Sequence, residues 1–320
     1  MFSARDKNGQ IRHLLVDTQV PKGEYFCPVC NGLVRLKKGE IMQPHFAHVS
    51  LSNCYYHFEN ESKEHLNLKA ALFRWAKKNE KVEVEAVIPE LDQVADILVA
   101  DRIALEVQCS PLSKTRLWQR TKQYQQAGYQ VLWLLGEKLW LKKTLTPLQK
   151  HFLYFSQNMG FHLWELDEKS SLLRLKYLIH EDLHGQAQYI EKEFAFEEGK
   201  LLDIFRLPFQ KQPLASFSAK TDTNIRHYIR QQLYYQNPKW MKQQATCYQK
   251  GENLLSKSAD DFYPQVRPVR ADEPFCQIYQ DLSAYYENFL RYYQNSQNKK
   301  SQIVYSPAFY TRNLHENMIK

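Results

Sequence analysis

No stretch of the 320 residues approaches the roughly 20 consecutive apolar side chains that a membrane-spanning helix needs, so no membrane span is expected. The first residues, Met1-Phe2-Ser3-Ala4-Arg5-Asp6-Lys7, lack the apolar core and small-residue cleavage site of a signal peptide, which predicts a cytoplasmic protein. Six cysteines are too few for a disulfide scaffold in a chain of this length. In a reducing compartment a Cys-x-x-Cys pair reads instead as metal-binding or redox-active. There is no internal repeat and no excess of negative charge. The net charge is +8 and the pI near 9.0, a balance suited to polyanionic partners such as nucleic acid or an anionic membrane surface. With 43% apolar residues the chain has enough material for a packed core.

Three zones follow from texture, at residues 1–60, 61–167 and 168–320. The first is short strands and turns carrying a Cys and His cluster. The second alternates helical and strand periods. Ser62 is an N-cap candidate for a helix whose Leu66, Ala70, Phe73 and Ala76 share one face. Val82, Val84, Ala86 and Ile88 alternate with charged residues, as a strand does. A more apolar strand follows over 94–100, then a tight turn, then alternating Ile103, Leu105, Val107 and Cys109. A second helix runs from Ser113 to Ala127 with Gly128 as its stop, and Val131 to Leu135 reads as a buried strand. The predicted order is helix, three strands, helix, strand. The third zone opens with strand-like Leu172 to Ile179 and turns polar, Gln- and Tyr-rich and mostly helical.

Cys27-Pro28-Val29-Cys30 is followed by His45-Phe46-Ala47-His48 and by Cys54. Zinc takes four tetrahedral nitrogen or sulfur ligands, and two cysteines three apart in a knuckle supply half. Asn31-Gly32 permits the sharp turn that such a knuckle needs. Cys27, Cys30, His45 and His48 form the first ligand set. The His-x2-His gap is short, so Cys54 competes with either histidine. A structural zinc is expected, because a short, core-poor segment gains folding energy from its metal.

Asp96 interrupts an apolar strand, where an ionised carboxylate is costly unless it is paired or binds a cation. Glu106 and Gln108 share one face of the next strand. If the two strands form a hairpin, Asp96 and Glu106 converge into a hard-oxygen site suited to Mg2+ or Mn2+, an ion able to activate water against a phosphodiester. Glu106 and Gln108 equally suit the wet face of an amphipathic strand. Glu61, His65 and Lys69 stand at i, i+4 and i+8, a stripe that would position metal-bound water or phosphate. From spacing alone, a solvated helix face is the preferred account of that stripe.

Asp96-x9-Glu106-x-Gln108, within this element order, resembles the PD-(D/E)xK nuclease core. The wider set adds Cys27-x2-Cys30, Pro44-His45-Phe46-Ala47-His48, Glu61-Ser62-x2-His65-x3-Lys69 and Tyr124-x3-Gly128 before Val131-Leu132-Trp133. Together these motifs, in the first half of the chain, resemble the competence protein CoiA family. The resemblance implies an α/β fold with a restriction-endonuclease-like core, a zinc-ribbon-like N-terminal element and a mostly helical C-terminal region. It also implies a role in recombination of incoming, single-stranded DNA during natural transformation, alongside a recombinase or other competence proteins. By motif position, Asp96 and Glu106 are metal ligands and Gln108 takes the lysine place. Glutamine orients water but carries no charge to stabilise a transition state, so Lys69 or Lys114 would have to supply it. The expected function is therefore metal-dependent DNA processing, the alternative being a non-catalytic DNA-binding adaptor that delivers DNA to a recombinase.

Between Asn224 and Lys250 there is no acidic residue. Arg226, Arg230, Lys239, Lys242 and Lys250 alternate there with His227, Tyr228, Tyr234, Tyr235, Trp240 and Tyr248, a pattern suited to single-stranded DNA. Arg226, Arg230, Lys239, Trp240 and Lys242 are the DNA-binding candidates. A helical bundle with the rings as its core fits the same pattern slightly better.

Overall fold

A computed structural model describes residues 1–39, 42–50, 54, 61–91 and 93–318, with residues 313–318 described by backbone alone. The expected boundary at residue 60 lies outside the described residues. The first five strands are β1 (Ser3–Asp6), β2 (Ile11–His13), β3 (Tyr25–Phe26), β4 (Leu33–Lys37) and β5 (His45–His48). Then come α1 (Lys63–Lys77), β6 (Val82–Ile88), β7 (Gln93–Val99), β8 (Ile103–Gln108), α2 (Lys114–Gln126) and β9 (Gln130–Leu135), the order predicted from periodicity. The chain continues through α3 (Pro147–His151), β10 (Tyr154–Ser156), β11 (Gly160–Asp167), β12 (Leu172–Glu181), β13 (Ala187–Ala195) and α4 (Leu201–Arg206). The remainder comprises β14 (Ser216–Ala219), α5 (Ile225–Tyr234), α6 (Pro238–Gln249), β15 (Arg267–Pro268), α7 (Ser283–Gln294), β16 (Gln302–Tyr305) and α8 (Pro307–Met318).

Two compact units result. The first gathers Met1–Trp140, Leu163–Leu175 and Lys192–Leu207; the second gathers Leu141–His162, Lys176–Glu191 and Pro208–Lys320. The architecture is mixed α/β with a large mixed sheet and a helical C-terminal part. No described helix is long and apolar enough to cross a membrane.

In the first unit, β2-β1-β3-β4-β5 form a small antiparallel sheet. Its core is slight: Ala4, Tyr25, Cys27, Val34 and Phe46. The large sheet runs β13-β12-β11-β9-β8-β7-β6, with β6, β7 and β8 antiparallel and β8-β9 and β9-β11 parallel. Ser62 caps α1 by accepting from the His65 N–H at 3.1 Å, and Ser113 caps α2 by accepting from the Arg116 N–H at 3.2 Å. Gly128 follows α2 with φ +82°, the left-handed stop that glycine allows. The β7–β8 turn is tight: Ala100 and Asp101 both hold positive φ within the three residues that connect Val99 to its partner Ile103.

The second unit packs α5 and α6 on a cluster of Leu183, Ile225, Ile229, Trp240, Leu254 and Phe262. Trp240 is 1% exposed. That corrects its place among the DNA-binding candidates, since a ring enclosed in this core has no face for a base. Arg226, Arg230, Lys239 and Lys242 are exposed.

Candidate metal and catalytic site

Ligand atoms of Cys27, Cys30, His48 and Cys54 lie within 4.8 Å of one another, a group able to hold a metal ion. Cys30 Sγ is 3.5 Å from His48 Nε2 and accepts the Gly32 N–H at 3.4 Å. A Cβ on Gly32 would come within 3.2 Å of that sulfur, so the knuckle closes over a position only glycine fills without adjustment. Asn31 takes φ +57° to make the turn. Burial, with the neighbouring Cys30 sulfur adding to it, pushes the Cys27 thiol up to about 12. A bound cation would reverse that balance and hold the thiolate. Three sulfurs with one imidazole fit a tetrahedral soft-to-borderline ion.

His45 does not belong to this group. Its Nδ1 lies 2.9 Å from the Gln43 carbonyl. His45 and His48 stand at i and i+3 along β5, and side chains alternate between faces, so the two imidazoles point to opposite sides of the strand. Cys54 stands where the first ligand set had His45.

The second group lies on the large sheet. Pairing of β7 with β8 is recorded from Val99↔Ile103 to Ile97↔Leu105. One residue beyond, the Asp96 carboxylate accepts the Val107 N–H at 2.9 Å, its Oδ2 standing in for a ladder carbonyl. Across β6, the register between Val84↔Ile97 and Ala86↔Ala95 puts Glu85 opposite Asp96. From α1, His65 Nε2 meets Asp96 Oδ2 at 3.1 Å, and its Nδ1 is 3.5 Å from Glu61 Oε1. Lys69 Nζ bonds Glu61 and lies 2.8 Å from Glu85 and 3.7 Å from Asp96. The Met1 amine also bonds Glu61, and the Phe2 and Ser3 N–H groups clasp the two Glu85 oxygens at 2.7 and 2.8 Å.

This overturns the solvated-face account of Glu61, His65 and Lys69. Lys69 is 1% exposed and packs against the Phe2 ring, because the N-terminal sheet covers the stripe. Glu61 stands just ahead of the helix rather than within it. Burial would raise the Glu61 and Asp96 carboxyls, but the cations beside them prevail. Lys69 leads for Glu61, which falls well below its ordinary value; His65 and Lys69 take Asp96 down to about 2. Burial likewise works against protonated His65, yet Asp96 and Glu61 lift it to about 9. Lys69 is raised by its three carboxylates despite burial. Glu61, His65 and Asp96 also present ligand atoms within 4.8 Å of one another, and each keeps some exposure.

The wet-face account of Glu106 and Gln108 fails as well, since they are 2% and 4% exposed. Glu106 Oε1 accepts from Arg120 at 2.8 Å and from the Tyr124 hydroxyl at 2.5 Å. Burial first, and then the charge of Asp96, push Glu106 up to about 7. The Gln108 amide donates to the Ser110 carbonyl at 2.6 Å. Sequence reasoning missed Glu85 and Arg120, and singled out Tyr124 only within a motif, without a role. The charged positions of β6 alternated as a wet face should, and only the covering N-terminal sheet distinguishes Glu85 from Glu83.

A family model described as competence protein CoiA, nuclease-like domain, matches residues 61–206. A second, competence protein CoiA, N-terminal domain, matches residues 11–57. They lie in order and together span more than half of the chain. The chain belongs to the CoiA family. Its relative in Bacillus subtilis (strain 168), Competence protein CoiA, is 29% identical over 187 residues, covering 52% of this chain and 48% of the relative. The chain thus spans about half the length of the curated relative it matches. No solved structure matches. The nuclease-like match begins at Glu61 and includes Asp96, Glu106 and Gln108, while the N-terminal match includes all four clustered Cys and His positions.

Proposed function

We propose that this protein processes DNA during competence, in the recombination of incoming DNA. Its Glu61–Asp96 region would be a metal-dependent nuclease site on a PD-(D/E)xK-type core. The three-part division at residues 1–60, 61–167 and 168–320 belongs to the same proposal, as does a structural zinc on Cys27, Cys30, His48 and Cys54. The observation that carries the nuclease reading is the convergence of Glu61, His65 and Asp96 where β7 and β8 part, with Lys69 beneath them. Two hard carboxylate oxygens and one imidazole suit Mg2+ or Mn2+. Such an ion, when bound, lowers the pKa of its water and neutralises charge on a phosphodiester.

The chain's own residues have distinct roles in this reading. Asp96 and Glu61 hold the ion with His65. Glu106 joins from the neighbouring strand, oriented by Arg120 and Tyr124, both of which occupy Oε1. Lys69 supplies the fixed positive charge that Gln108 lacks, from the helix instead of the strand. Its ammonium is already desolvated, so its field at the site is stronger than in water.

A second reading has its own support. Glu61, Glu85 and Asp96 are already neutralised by Lys69, the Met1 amine and a protonated His65, so the cluster is self-sufficient without metal and fits an adaptor that binds DNA uncut. Purified chain with its zinc retained decides between them, incubated with single- and double-stranded DNA and Mg2+ or Mn2+. The nuclease reading expects cleavage that Asp96→Ala abolishes. DNA binding without cleavage in either metal, or cleavage that survives Asp96→Ala, overturns it.

A further inference from the structure

The helical hairpin of α5 and α6 turns Ile225, Ile229 and Trp240 inward and leaves an unusual outer surface. Arg226, Arg230 and Tyr234 fall at i, i+4 and i+8, one stripe of α5 about 12 Å long. It runs to the short turn of Tyr235, Gln236 and Asn237, and Lys242 and Tyr248 are exposed on α6. Tyr234 is 81% exposed, Tyr235 74% and Tyr248 61%. The Tyr234 and Tyr235 rings stand edge-on to one another, with centroids 5.2 Å apart.

Several exposed lysines elsewhere on the surface have carboxylate partners: Lys78 with Glu197, Lys81 with Asp101, Lys169 with Glu137. Among the described residues, Arg226, Arg230 and Lys242 have no such ion pair, and positions 224–250 contain no Asp or Glu at all. Unpaired cations on one stripe, with bare rings at its end, form a surface that wants phosphate and flat π-faces together.

We propose that the α5–α6 hairpin is a binding surface for single-stranded nucleic acid, with Tyr234 and Tyr235 stacking on bases and Arg226, Arg230 and Lys242 following the phosphates. Duplex DNA hides its base faces and would leave the rings idle. An amphipathic membrane-surface helix would put Trp, Phe or Leu outward, whereas here the apolar face is consumed by the core. The surface belongs to the second unit and does not depend on whether the first unit cuts DNA.

The test is fluorescence anisotropy of a labelled oligo-dT with the full, zinc-retaining chain in magnesium-free buffer, so that binding is read without cleavage. Replacing both Tyr234 and Tyr235 by Ala should weaken binding about tenfold or more and leave the salt dependence unchanged. Changing both to Phe should keep wild-type affinity, since stacking needs the ring and not the hydroxyl. The pair Arg226→Ala and Arg230→Ala should flatten the slope of log K against log salt by about one to two. Oligo-U in place of oligo-dT distinguishes RNA from DNA as the source of the same chemistry. Lys81→Ala, at an exposed lysine of the first unit, should bind like wild type, which ties the affinity to the hairpin. Wild-type affinity in the double Ala variant, equal affinity for duplex of the same length, or binding only to anionic lipid vesicles would each overturn the proposal.

Discussion

Lys69 Nζ lies 2.8 Å from Glu85 Oε1, although one stands on a helix and the other on a strand, and the lysine is 1% exposed. An ammonium so far from water persists because Glu61 and Asp96 complete its neutralisation. The backbone of Phe2 and Ser3 in turn fixes Glu85. The N-terminal sheet and the nuclease-like part therefore share one charge network.

Removing one member of that network should be expensive. Lys69→Met leaves three carboxylates with only the Met1 amine and a protonated His65 to offset them and should destabilise the fold by about 3–5 kcal/mol. Urea unfolding followed by circular dichroism measures this. A loss near zero would show that the network contributes no net stability.

The divalent ion and the lysine should interact. If Glu61, His65 and Asp96 take Mg2+ or Mn2+, the ion binds the native state and raises the melting temperature. Asp96→Ala should abolish that shift, and Glu106→Gln should reduce it at nearly equal volume. In the proposed nuclease reading Gln108→Lys should not raise cleavage, because Lys69 would already supply the charge and the Gln108 amide is spent on Ser110. Thermal melts with and without metal, beside a cleavage assay, check all three variants.

Elemental analysis should find one zinc per chain. Cys54→Ser and His48→Ala should each lose it, whereas His45→Ala should keep it. Retention by Cys54→Ser with loss by His45→Ala would restore the histidine pair as ligands.

The second unit should be acid-sensitive. Burial depresses both His162 and His180 to about 4, against weaker support from backbone carbonyls. A base with a depressed folded pKa stabilises the fold fully above its unfolded value, near 6.5. That contribution is lost as pH falls through the folded value. Stability should decline between about pH 6.5 and 4, each histidine accounting for on the order of 3 kcal/mol. His162→Phe should remove about half of that decline, read from urea midpoints across the range.

Trp240→Ala should cost about 3–5 kcal/mol in the second unit, the usual consequence of emptying a large core position. Equilibrium unfolding of the variant tests it. An unchanged midpoint with weakened DNA binding would return the ring to the surface.

Much of this molecule was decided by local sequence. Hydrophobic period fixed helix, three strands, helix and strand in order, and Ser62 and Ser113 marked the helix starts because a hydroxyl there satisfies an N–H with no intrahelical partner. Cys27 and Cys30 marked half of a candidate metal cluster through spacing alone, and Asp96 stood out by sitting where a lone charge is costly. Period, however, says which residues share a face and not what covers that face. Only the tertiary structure brought the N-terminal sheet over Glu61, His65 and Lys69 and set Glu85 opposite Asp96. It also turned Arg120 and Tyr124 onto Glu106, chose Cys54 over His45, and sank Trp240 into a core. Each of these depends on contacts between residues distant in sequence, and strand register and burial set them.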